Sequence, residues 1–240
     1  TELSYFEYKN LVKNLFTEDL FLLNKIFEKL IDRSVKGGKD IDILNKIKIL
    51  LFLRSLTLGE EIKLNIKDKN HFFDINSIIK NITVNHEDVI TDKIILKRPN
   101  NLYTKNVLDE VVNSIQKIII KDKEIDFFNL TNEQKNIIFN EITDTNILDI
   151  VSNIIKNSQK DNLKLIDLNL NLHNGDILIF LKSIFLTDLS SLYDFEYFLI
   201  RELKLNSTDF QNYSFNKLKI YFNKLSEEFK DKNASGINTK

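Results

Sequence analysis

Apolar residues recur at helical spacing through the first 56 positions, and the pattern predicts three helices. In the second, Leu23, Ile26, Phe27, Leu30 and Ile31 share one face, with Thr17 placed to cap it and Glu18 and Asp19 in its first turn. Gly37-Gly38 ends this helical hairpin, and Ile43, Ile47, Leu50 and Leu51 line a third helix running to about Leu56. At Gly59 the period changes. Ile62, Leu64 and Ile66 alternate with Lys63, Asn65 and Lys67, the mark of a half-buried strand. Asp68-Lys69-Asn70 supplies turn residues, His71 to Ile75 returns as a second strand, and a short helix follows around Ser77 to Ile82.

Farther along, Ile66-Lys67-Asp68-Lys69 recurs as Ile120-Lys121-Asp122-Lys123, each followed by a Phe-Phe pair and a helix; two short units do not make a solenoid. The second of these helices opens on Thr131 and Gln134, spaced as a capping box. Lys93 to Lys97 reads as a strand stopped by Pro99, which opens a loop, and Ile147 to Ile155 as a helix. Ile166, Leu168, Leu170 and Leu172 alternate strictly with Asp167, Asn169 and Asn171, which predicts one continuous strand. Helices return with Asn174 as cap, then from Asp188 to Leu205. In the last helix Phe215, Leu218, Phe222, Leu225 and Phe229 are spaced alternately three and four apart, a seam that packs along one partner, internal or from another chain. These five are the candidate partner-binding residues. From Asp231 to Lys240 the pattern is lost, and a flexible tail is expected.

The fold class read from this order is α+β, mostly helical with small antiparallel hairpins or a small sheet. Four regions follow: a helical region over 1–58, a mixed hairpin and helix region over 59–172, a helical region over 173–230, and a tail over 231–240, all compatible with one compact domain.

Composition narrows the chemistry. Basic and acidic side chains nearly cancel, 34 against 35, so no bulk field draws the chain to nucleic acid or to an anionic membrane. No apolar run approaches the roughly 20 residues of a membrane span, and the first residues lack a secretory signal pattern, so a cytosolic setting is expected. Zero cysteine removes disulfides, thiolate nucleophiles and cysteine metal sites. His71, His86 and His173 are far apart, without the helical spacing of a zinc site. Gly37-Gly38-Lys39 lacks the preceding strand and following Ser or Thr of a phosphate loop. Adjacent Glu60-Glu61 and Glu227-Glu228 point apart, and Ser55, Ser77 and Ser183 lie among bulky apolar residues. Lys63, Lys67 and Lys69 on the hairpin suit the protection of an exposed strand edge. No catalytic, metal or cofactor-binding residue is expected, and the chain reads as a protein-binding protein rather than an enzyme.

One stretch is distinctive: Ile47-Lys48-Ile49-Leu50-Leu51-Phe52-Leu53-Arg54-Ser55-Leu56-Thr57-Leu58-Gly59-Glu60-Glu61-Ile62, then the hairpin, then Asp74-Ile75-Asn76-Ser77-Ile78-Ile79. It resembles the T4-type bacteriophage baseplate hub and tail-assembly protein family, in which a helix reading roughly LLxLRxxSxGxEI runs into a hairpin. A segment like xDIxxLL follows there. Arg54 and Gly59 match the two most distinctive positions, and the likeness covers Asp42 to Ile82. Family members often carry cysteine pairs at the hairpin, resembling a small metal knuckle; here Asp68, Lys69 and Asn70 stand instead, which implies the fold without the metal. The resemblance implies a baseplate component or assembly factor whose partners are other phage tail or baseplate proteins. It would reside in the host cytoplasm during assembly or in the virion tail baseplate. Physical reading alone gives Arg54 a place at a helix C-terminus, with Glu60 or Glu61 as ion-pair partner, and gives Gly59 a positive φ. The alternatives are a non-phage interaction module using its C-terminal amphipathic helix, or an enzyme site assembled from Asp, Asn and Lys.

Overall fold

The computed structural model describes residues 1–36, 41–84, 89–90, 94–96, 102–103, 114–120, 123–141, 152 and 155–235. Outside them lie His86, the Gly37-Gly38 turn, the Pro99 loop and, apart from Ser152 and Ile155, the helix expected over Ile147 to Ile155. In chain order the elements are α1 (Tyr5–Leu15), α2 (Leu20–Ser34), α3 (Ile43–Leu58), β1 (Glu61–Ile66), β2 (Lys69–Asp74), α4 (Ile75–Lys80), β3 (Ile82–Thr83), β4 (Val89–Ile90), β5 (Ile94–Leu96), β6 (Ile115–Ile120) and β7 (Lys123–Asp126). A 3-10 turn at Phe127–Asn129 leads to α5 (Asn132–Glu141), β8 (Asn162–Leu165), β9 (Leu168–Asn171), α6 (Asp176–Phe185), α7 (Leu189–Leu203), α8 (Ser207–Asn212) and α9 (Phe215–Ser235). Strands pair antiparallel as β1-β2, β3-β8-β9 and β4-β5-β6-β7, so the class is α+β, helices with small antiparallel sheets.

Capping fixes several helix starts. The Ser4 hydroxyl accepts the Glu7 amide while the Glu7 carboxylate accepts the Ser4 amide, a full capping box for α1. Substituting Ser4→Ala should cost about 1 kcal/mol in urea unfolding. Asp19 caps α2 by accepting from Phe21 and Leu22, which moves the start two residues beyond the expected Thr17. The Thr131 and Gln134 box at α5 forms as spaced.

The chain gathers into two compact units, each assembled from separated segments; α3 and α6 each contribute residues to both. One unit holds Thr1–Glu18, Leu50–Ile75 and Lys182–Lys240. In it β1 buries Ile62, Leu64 and Ile66 and exposes Glu61, Lys63 and Asn65, as the alternation predicts. The N-terminal segment is tied to the start of α9 by backbone bonds from Tyr5 to Tyr213 and from Phe215 to Leu3. Tyr5, Tyr8, Leu11, Val12 and Leu15 of α1 are all buried.

The other unit holds Asp19–Ile49 and Asn76–Leu181. Leu23, Phe27 and Ile31 form the buried stripe of α2. Lys46, 1% exposed, lies in an ion pair with Glu28 at 2.8 Å. Asp161 and His173, both buried, meet at 3.0 Å.

Three further sequence expectations change. Residues Ile166 to Leu172 are not one strand: Ile166 and Asp167 form the turn of a hairpin whose arms are β8 and β9, with Leu165 opposite Leu168. Ile166 sits in the left-handed region at φ 50, strained for a β-branched side chain. Replacement by Asn should raise thermal stability by about 1 kcal/mol. The first hairpin turns at Lys67 and Asp68, both at positive φ, one residue ahead of the expected Asp68-Lys69-Asn70. Finally, α9 continues through Ser235, so the pattern-free stretch from Asp231 begins as helix.

The suspected repeat has a structural counterpart. Ile66 pairs with Lys69 and Ile120 with Lys123, so both segments are hairpins closed by two residues. Leu165 and Leu168 close a third in the same way, with Asp167 at the second turn position as Asp68 is in the first.

Candidate partner-binding face

The residues singled out by sequence, Arg54, Gly59 and the seam of α9, all fall in the unit that contains α1 and α7. Helix α3 ends at Leu58, and the Gly59 amide donates to Ser55 O at 2.9 Å, with Gly59 at φ 99. This is the left-handed residue that closes a helix C-terminus. A Cβ at Gly59 would meet nothing within 4 Å, so only backbone strain opposes a side chain there. Gly59→Ala should cost about 1 kcal/mol and Gly59→Val about 2, read as urea midpoints with unchanged slope.

Arg54 is 8% exposed and does not reach Glu60 or Glu61, both of which are exposed. Burial within the unit points its guanidinium inward, where it donates to Gly59 O and to Ile184 O, the latter at 3.4 Å. Two neighbours treat adjacent carbonyls alike: Lys219 Nζ donates to Leu58 O at 2.9 Å and the Tyr8 hydroxyl to Phe185 O at 2.9 Å. Three donors from α1, α3 and α9 thus satisfy carbonyls at the C-terminal ends of α3 and α6, which carry partial negative charge. Burial lowers the pKa of both Arg54 and Lys219, and the Arg54 charge lowers Lys219 further. Burial raises the Tyr8 hydroxyl above the usual tyrosine range, with Arg54 opposing in part.

The α9 seam packs within the unit. Phe215 and Leu218 are buried, Phe222 and Leu225 half-buried, and Phe229 is 39% exposed. Phe195 of α7 meets Phe215 and Phe222 at 5.5 and 5.2 Å, and Phe198 meets Phe222 and Phe229 at 5.3 and 5.9 Å. Contacts therefore advance along α7 and α9 in the same direction. Tyr5 and Tyr8 of α1 close the aromatic cluster against Phe210 and Phe215, with centroids at 4.8 and 4.5 Å. The seam's internal partner is α7.

With its phenylalanines turned inward, α7 presents Tyr193, Tyr197 and Arg201 on its outer side, four residues apart. Tyr197 is 68% exposed and Tyr193 46%. Lys9 lies 4.1 Å over the Tyr193 ring and also pairs with Glu196, and Arg201 lies 5.7 Å from the Tyr197 ring. Tyr and Arg are enriched among the residues that dominate binding energy in protein interfaces, Tyr because it offers a large rigid area with two rotors to freeze and Arg because its planar fork makes several hydrogen bonds at once. The sequence reading missed this stripe; its signal was the spacing of 193, 197 and 201.

Among the described residues no group of three or more His, Cys, Asp or Glu is placed to hold a metal ion, and no helix is long and apolar enough to cross a membrane. No protein-family model matches the chain, and neither a curated protein nor a solved structure matches it.

Proposed function

We propose that this chain is a bacteriophage baseplate hub protein, a component or assembly factor of a contractile tail that acts through protein contacts. One observation carries the reading: the stretch that resembles the hub family, Arg54 to Ile62, is the junction where a helix end is locked by its own arginine before turning into a hairpin. That gives Arg54 and Gly59, the two most distinctive positions of the resemblance, connected structural jobs. The hairpin holds together through Ile62, Leu64 and Ile66 packing inward, which supports a family-like knuckle built without metal. Partners on this reading are other tail or baseplate proteins, met during assembly in the host cytoplasm. The outer stripe of α7 is the surface they would meet, since the α9 seam is already covered by α7.

Mass spectrometry of purified tailed particles and of baseplate intermediates from infected cells tests the proposal. A component stays in the mature particle, whereas an assembly factor is found in intermediates alone. Absence from both overturns the reading. A Tyr197→Ala, Arg201→Ala double variant, which removes exposed groups and should leave thermal stability within about 0.5 kcal/mol, is expected to abolish co-purification with the intermediates.

A further inference from the structure

Between β9 and α6 the chain makes a tight polar turn. The Asn171 carboxamide donates to the carbonyls of Ser158 and Gln159 and accepts from the amides of His173 and Asn174. The Asn171 amide donates to the Asp176 carboxylate at 3.1 Å, and His173 meets Asp161 at 3.0 Å. At its apex stands Asn174-Gly175, the single Asn-Gly dipeptide in the sequence.

We infer that Asn174 is a site of spontaneous deamidation in the folded protein. Asparagine followed by glycine is the pair most prone to this loss, because glycine has no Cβ to hinder approach of its nitrogen to the preceding side chain. Three features of the turn favour it. Asn174 is exposed, so water reaches its carboxamide. Its Oδ1 accepts the Asp176 amide at 3.2 Å, which folds the carboxamide forward along the chain and polarises its carbonyl. Gly175 is at φ 95, and among the described residues its amide has no acceptor, so no hydrogen bond must break before the nitrogen attacks.

The step balances without an added reagent other than water. The Gly175 nitrogen bonds to Asn174 Cγ and gives up its proton to solvent, the Cγ–Nδ2 bond breaks, and ammonia leaves a five-membered imide. Water then opens the ring. Cleavage at the side-chain carbonyl gives aspartate, and cleavage at the main-chain carbonyl gives isoaspartate. Aspartate adds negative charge at the start of α6, where the helix dipole favours it. Isoaspartate routes the backbone through an extra methylene and cannot keep the Asn171, His173 and Asp176 bonds in register. The inference does not depend on the proposed function.

The test is incubation of the full folded chain at mildly alkaline pH and body temperature, followed by peptide mass spectrometry, with circular dichroism confirming the fold. The expected result is a gain of one dalton on the Asn174 peptide ahead of every other asparagine peptide, together with isoaspartyl content in that peptide. Both signals should vanish in Asn174→Gln, whose longer side chain closes the ring poorly. Gly175 is not a usable control, since a Cβ there would lie 2.8 Å from Leu20 Cδ1. The inference is overturned if Asn174 keeps its amide, if another asparagine reacts first, or if conversion occurs only after unfolding in urea.

Discussion

Arg54→Ala is expected to lower the free energy of unfolding by about 3 kcal/mol, measured by urea titration at neutral pH. The arginine gives two charge-assisted bonds to backbone carbonyls, at Gly59 and Ile184. Losing a donor to a buried carbonyl costs more than the bond itself contributes, because the acceptor is left dry. An opposing effect exists. Among the described residues no carboxylate pairs with the buried guanidinium, which lies near the Lys219 ammonium, so its removal relieves desolvation and repulsion. The bonds should win, because one side chain serves carbonyls at the ends of two helices. Arg54→Met, which keeps most of the packed stem but none of the donors, should recover about 1 kcal/mol of the loss. A change below about 0.5 kcal/mol in the alanine variant would remove Arg54 from its capping role.

What the sequence revealed, and what it hid, follows from which signals are local. The switch of period at Gly59 is local, and β1 buries the three residues that the alternation names. The hairpin of β8 and β9 was misread because its inward residues are Leu163 and Leu165 on one arm and Leu168 and Leu170 on the other, a slip from odd to even positions. Ile166 falls on the even set by sequence but in the turn by geometry, so the alternation ran through it unbroken. Arg54 was given an acidic partner because Glu60 and Glu61 are close in sequence. The Ile184 carbonyl that it meets is 130 positions away, which no local pattern reports. Helix α7 is aromatic on all sides, so sequence alone did not say that Phe195 and Phe198 face α9 while Tyr193 and Tyr197 face solvent. The neighbours decide that, through Phe222 and Phe229 on one side and Lys9 on the other.

Alkaline pH should unfold the protein steeply, beginning near pH 10, the ordinary tyrosine value. Tyr5 and Tyr8 are fully buried, and their hydroxyls donate to the carbonyls of Leu192 and Phe185 at 2.8 and 2.9 Å. Burial raises both above the usual range, and for Tyr5 the nearby Glu196 carboxylate adds to the effect. A raised native pKa means that the stabilising contribution is whole below the unfolded value and is lost as pH climbs past it. There the unfolded chain releases two protons that the native chain keeps. Each contributes about 1.4 kcal/mol per pH unit, so stability should fall by about 2.7 kcal/mol per unit above pH 10. Lys219 acts with the opposite sign: its depressed native pKa makes the unfolded chain bind more protons just below the ordinary lysine value, so stability rises slightly there before the tyrosines take over. Tyr8→Phe separates the terms. It should cost about 1 kcal/mol at neutral pH, where the Phe185 carbonyl loses its donor, yet halve the alkaline slope. An unchanged slope in that variant, with unfolding followed by circular dichroism from pH 9 to 12, would show that the native state does not hold the Tyr8 proton above the ordinary tyrosine value and would sink the assignment.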